Sequence, residues 1–87
     1  MHWVKKHGKV LAVCDENVLG KKLGRILVDE KFYKGELVDE ERLSELLKEH
    51  ENINIIGKKS VNAAKKQGIA CCAAKIKGVP HALIFKI

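Results

Sequence analysis

Apolar positions along the chain follow two different spacings, and the changeovers between them mark out the elements. "KVLAVCDE" is apolar from Val10 to Cys14, with Val10, Ala12 and Cys14 on one face of an extended segment and Leu11 and Val13 on the other. "HWVKKH" before it is a second extended candidate, and Gly8-Lys9 between the two fits a tight hairpin turn. "NVLGKKL" contains Gly20 and is followed by Gly24, which predicts a loop or a single helical turn. "RILVDE" is short and rich in strand formers, the third predicted strand. In "KFYKGEL", Phe32 and Tyr33 precede a glycine turn and read as a structural wedge.

From Asp39 the spacing becomes helical. Leu43, Leu46 and Leu47 fall at i, i+3 and i+4, the stripe of an amphipathic helix. Asp39 is its candidate N-cap, with Glu40 and Glu41 in the first turn and Lys48 and His50 in the last, all complementing the helix dipole. "INII" then reads as a buried strand closed by Gly57, and a second helix runs from Lys58 to Gln67 and stops at Gly68. "CAAKIK" and "HALIFK" are the arms of a final hairpin. Pro80 at their junction has no N–H for a ladder and biases Val79 toward extended geometry, so His81 is placed in or beside a turn. The fold class expected is α+β, one small domain over residues 1–87, with a mixed or antiparallel sheet and two main helices packed on it. Eighty-seven residues leave no room for a second core.

Charge changes this picture more than composition does. The apolar share of 46% and charged share of 32% are ordinary for a globular chain. The net charge of +6 is unevenly placed, however, because all 11 acids lie at or before Glu51. Residues 52–87 hold seven lysines and no acid, an asymmetry that suggests a polyanionic partner. Apolar runs such as Ile69 to Ala74 are far shorter than the roughly 20 residues that cross a bilayer, and no signal-peptide pattern opens the chain. No membrane association and a cytoplasmic location are the expectations. Three cysteines, Cys14, Cys71 and Cys72, make a poor disulfide framework and read as small buried hydrophobes.

The acid-free block is densest in "IIGKKSVNAAKKQG". With Lys58 at zero on a helical wheel, Lys59 falls near 100°, Asn62 near 40°, Lys65 near 340° and Lys66 near 80°, one arc of about 120°. Val61, Ala63 and Ala64 form the opposite, small-residue face. Lys58 and Lys59 also sit at the positive end of the dipole, where a cation costs a few tenths of a kcal/mol. Free N–H groups at that end, the two ammonium groups and the Ser60 hydroxyl would together form a phosphate cradle beginning at Gly57. The plain alternative is a solvated lysine face. "GKKS" is not a P-loop, since Asn52 stands where its first glycine belongs and Lys59 where Ser or Thr belongs.

Other chemistry is thinly represented. No C-x-x-C occurs and adjacent Cys71-Cys72 make no two-arm chelate, so no metal is expected. Asp15 and Glu16 follow Cys14 and disfavour a thiolate there. His81 is the most site-like histidine, against the plainer expectation of a ring bonded to a neighbouring carbonyl. Trp3, Phe32 and Tyr33 read as core anchors sooner than stacking platforms.

Taken in order, "HWVKKH", "AVCDENVLGKKL", "FYKGELVDEE", "NINIIGKKSVNAAKKQGI" and "GVPHALIF" resemble a small, mostly archaeal family of uncharacterised proteins, domain of unknown function 424. The resemblance covers nearly the whole chain, with "FYKGELVDE" and "GVPHA" its most distinctive parts. It implies an α+β domain of archaeal origin and supplies no activity, cofactor or site residue.

The reading this supports is a non-enzymatic module that binds RNA or a ribonucleoprotein and needs no cofactor. Lys58, Lys59, Lys65 and Lys66 would contact phosphates, with Lys75, Lys77 and Lys86 extending the patch along the last hairpin. One rival is a small-molecule or phospho-ligand binder, or an enzyme, between the Gly57 helix start and the Gly78–His81 turn. Another is a structural subunit of a complex.

Overall fold

The hairpin around Gly8 forms as its sequence predicts. Strand β1 (His2–His7) pairs antiparallel with β2 (Val10–Asp15), and Gly8 turns between them at φ 59°. A computed structural model of the chain describes residues 1–69 and 74–86, so the burial expected for Cys71 and Cys72 lies outside the described residues. After a 3-10 turn (Glu16–Val18) come two-residue strands β3 (Lys22–Leu23) and β4 (Ile26–Leu27), which pair only with each other. "RILVDE" is therefore not a strand of the main sheet. Gly20 N–H donates to the Val28 carbonyl at 2.8 Å and Val28 N–H to that of Lys21 at 2.9 Å, and these bonds close the segment into a loop.

A single helical turn, α1 (Glu30–Tyr33), is capped by Asp29, and it presents buried Tyr33 as the expected wedge. Strand β5 (Glu36–Val38) was not anticipated, being three residues long. Then follow α2 (Glu40–Glu49), β6 (Asn52–Ile56), α3 (Lys58–Lys66), β7 (Ala74–Ile76) and β8 (Val79–Phe85). His81 lies inside β8, not in the turn, which falls at Lys77 and Gly78. Pro80 is tolerated because the strand is only beginning there.

The main sheet has the order β5-β1-β2-β6-β8-β7, and among the described residues β2 with β6 is its one parallel pair, so the sheet is mixed. Alternation along the strands separates two cores. Leu11, Val13, Ile53 and Ile55 face the helices, where Leu43 and Leu47 of α2 are fully buried. Each such leucine contributes roughly 1.5–3 kcal/mol by leaving water. Val61, Ala63 and Ala64 bring α3 close to the same face. Ala12, Cys14 and Ile56 face the other way, against Tyr33, Leu23 and Val28 of the segment between β2 and β5. Because β2 and β6 run parallel, they end together, at Asp15 and Gly57. Helix α3 starts at that shared end.

Candidate functional site

Gly57 opens α3 without a side chain to cap it, so the first N–H groups need an acceptor from elsewhere. Asp15, at the end of the neighbouring strand, supplies it: Oδ2 accepts from Lys59 N–H at 2.9 Å and Oδ1 from Ser60 N–H at 2.7 Å. Asp15 is itself 3% exposed, and a Cβ on Gly57 would sit 2.4 Å from its carboxyl carbon, so only glycine fits this approach. The phosphate cradle expected at this helix start is thus already filled by the protein's own carboxylate. The reason is the parallel register, which sets Asp15 one residue beyond the Cys14–Ile56 pair.

Ser60, expected to offer its hydroxyl to an anion, is fully buried and bonded instead to Nδ1 of His2 at 2.7 Å. That nitrogen is 4.0 Å from Asp15 Oδ1. Serine, histidine and aspartate meet here, but this is no hydrolytic triad. The carboxylate faces backbone amides, not the second ring nitrogen, and no substrate carbonyl reaches a hydroxyl with 0% exposure. Burial, with the terminal amino group and Lys59 adding to it, holds His2 below the ordinary imidazole value, against the pull of Asp15 and Glu40.

On the outer side of α3 lies an open concavity of about 600 Å³ lined by His2, Glu40, Lys59, Asn62, Lys65 and Lys66. The helix arc read from the sequence therefore converges, apart from Lys58, which is exposed outside this lining. Glu40, from the first turn of α2, approaches Lys66 Nζ at 3.5 Å. The rest of the expected patch disperses. Lys75 lies on edge strand β7 opposite Pro80, and Lys77 runs past the Gly24 turn. Lys86 turns inward and donates to the Leu47 carbonyl, beside the bond from His50 Nδ1 to the Leu46 carbonyl at 2.9 Å. Lys86 therefore serves the end of α2 and not an anion surface.

Beneath the opposite face, Asn54 Oδ1 accepts from Tyr33 OH at 2.9 Å and from His81 Nε2 at 3.0 Å. His81 is bonded as the plainer expectation had it, though to a side-chain carbonyl. Burial holds its ring below the ordinary value. Gly57 N–H donates to the Pro80 carbonyl at 2.9 Å, so the helix start and the Pro80 strand are direct neighbours, not two walls of a cleft. Cys14 is buried in this second core, its thiol pushed up to about 12 by burial and by Asp15, and it is inert as a nucleophile. Among the described residues no cluster of histidine, cysteine or acidic side chains has the form of a metal site, and no helix is long and apolar enough to cross a membrane.

Comparison with known proteins adds family membership. A family profile described as "Protein of unknown function (DUF424)" matches residues 2–87. The chain belongs to the DUF424 family. No curated protein matches this DUF424 chain in sequence. Among solved structures it is similar to an uncharacterized conserved protein from Methanopyrus kandleri. That match has a TM-score of 0.70 at 28% identity, covering 99% of this chain and 91% of the other. The Asp15 cap and buried His2 were not foreseen from the sequence. The available signal was a helix opening on glycine and two lysines, which requires a carboxylate from outside the acid-free block.

Proposed function

We propose that this DUF424 protein is a non-enzymatic module that binds RNA, free or in a ribonucleoprotein, through backbone phosphates on the outer face of α3, in the cytoplasm. One observation carries the reading: Lys59, Asn62, Lys65 and Lys66 line a single open concavity. Three cations and a carboxamide on one helix face suit phosphate oxygens. Only Glu40 opposes them there. The small-molecule reading loses its support, because the Gly57 start is filled by Asp15 and abuts β8 directly.

Binding of a fluorescent single-stranded RNA across a salt series tests this. Three phosphate contacts predict that log affinity falls with log salt at a slope of roughly −2. A variant with glutamate at Lys59, Lys65 and Lys66 should lose the binding while keeping its thermal unfolding. Equal binding by both proteins, or none at low salt, would return these lysines to an ordinary solvated face.

A further inference from the structure

The concavity on α3 has a floor that does not come from α3. His2 lines it while only 4% exposed, with Nδ1 turned inward to Ser60 Oγ. The other ring nitrogen, Nε2, has no hydrogen-bond partner among the described residues, and it is not sealed from solvent either. The space rimmed by Lys59, Lys65 and Lys66 thus has in its lining a buried imidazole with one unpartnered nitrogen.

We infer that this concavity is a binding site for a phosphate dianion, and that His2 takes up a proton as the anion enters and donates to it from Nε2. This rests on the reading of the lysine face as phosphate-binding, and it gives that face a chemistry beyond charge. The proton comes from solvent. In the charged ring both nitrogens donate, Nδ1 to Ser60 Oγ and Nε2 to a phosphate oxygen, so no ring donor is wasted. An anion beside the ring opposes the burial that keeps it neutral, and a charge-assisted bond of this kind is among the stronger ones.

The groups facing the ring have known signs. The terminal amino group and Lys59 of α3 disfavour its charge, whereas Asp15 of β2 and Glu40 of α2 favour it. Glu40 also occupies Lys66 at 3.5 Å, so an entering phosphate competes with a carboxylate already in place. That competition favours a doubly charged phosphate at the ring itself, beside the backbone diesters that the outer lysines would contact. Free inorganic phosphate and the terminal phosphomonoester of an RNA share this chemistry.

The test is an NMR titration of the histidine rings in the full chain, with and without inorganic phosphate at constant ionic strength. The His2 midpoint should move upward by about 1 on the pH scale, equivalent to roughly tenfold tighter binding to the charged ring. His81, bonded to Asn54 on the other face of the sheet, should not move. His2→Asn keeps a polar atom near the position of Nδ1 but has none at Nε2, and its phosphate affinity should follow only the ligand's own ionisation, without the added dependence of the ring. A 5′-phosphorylated ribo-oligonucleotide compared with its 5′-hydroxyl form separates the sources: preference for the former assigns the site to an RNA end, equal affinity to free phosphate. A His2 midpoint indifferent to phosphate overturns the inference, even if RNA still binds through the lysines. If phosphate moves His2 but RNA fails to bind, the RNA reading falls and this one stands. Should the Asn variant not fold, the titration of the native chain decides alone.

Discussion

The two long helices begin in opposite ways. Helix α2 carries its own cap: Asp39 Oδ1 accepts from Arg42 N–H at 2.8 Å, and Glu40 and Glu41 sit at the positive end of the dipole. Helix α3 opens on Gly57, puts Lys58 and Lys59 at that end, and borrows its carboxylate from β2. The first arrangement is stable on local terms. The second spends local stability on displaying cations and recovers it through a contact that only the assembled sheet provides.

Removing each cap measures this contrast. Asp15→Ala leaves two N–H groups without their charged acceptor beneath a buried surface. It should cost about 3 kcal/mol, a fall in Tm on the order of 15 °C by differential scanning fluorimetry. Asp39→Ala removes an exposed local cap, where water replaces the lost acceptor, and should cost about 1 kcal/mol, or on the order of 5 °C. Equal losses would mean that the borrowed cap is no different from a local one.

Two histidines, His2 beside the α3 start and His81 on β8, give the fold a pH dependence. His2 and His81 are held below the ordinary value of 6.5, so the unfolded chain binds protons that the folded one refuses. Stability is therefore full above that value and declines as pH falls below it. Urea unfolding at a series of pH values should show this decline, and His2→Asn should make it shallower. The smallest change is expected at the rim. Lys66→Ala breaks an exposed pair with Glu40 and should shift stability by no more than about 0.5 kcal/mol, while weakening the RNA binding proposed for this face.

What could be read from the sequence was whatever is encoded locally. The Gly8 hairpin, the Asp39 helix and the Gly68 stop depend on neighbours a few residues apart, and all three form. The arc of Lys59, Asn62, Lys65 and Lys66 follows from helical geometry alone, and the concavity retains it. Strand β5 was invisible because three residues carry no period. "RILVDE" does hold a strand, but one of two residues, Ile26–Leu27, that pairs with β3 outside the main sheet. Asp15 was read only for its effect on Cys14. Its real task depends on the parallel pairing of β2 with β6, which no local pattern in either strand specifies. The expected spread of the patch to Lys86 failed for a similar reason, since its partner, the Leu47 carbonyl, belongs to a distant helix end.

The reach of the Asp15 cap has a consequence in time. Its two bonds span 44 and 45 residues, so they cannot form until β2 and β6 have found each other across the whole intervening chain. Closing so long a loop is a late and entropically costly step, while hairpins and short helices form in microseconds. Helix α3, with two cations at its positive end and no local cap, has little reason to persist before then. The lysine face is therefore displayed only by a finished molecule. The Lys59 and Ser60 amides should exchange with solvent at the rate of global unfolding, so that nascent chains with unpaired strands hold no ordered lysine face.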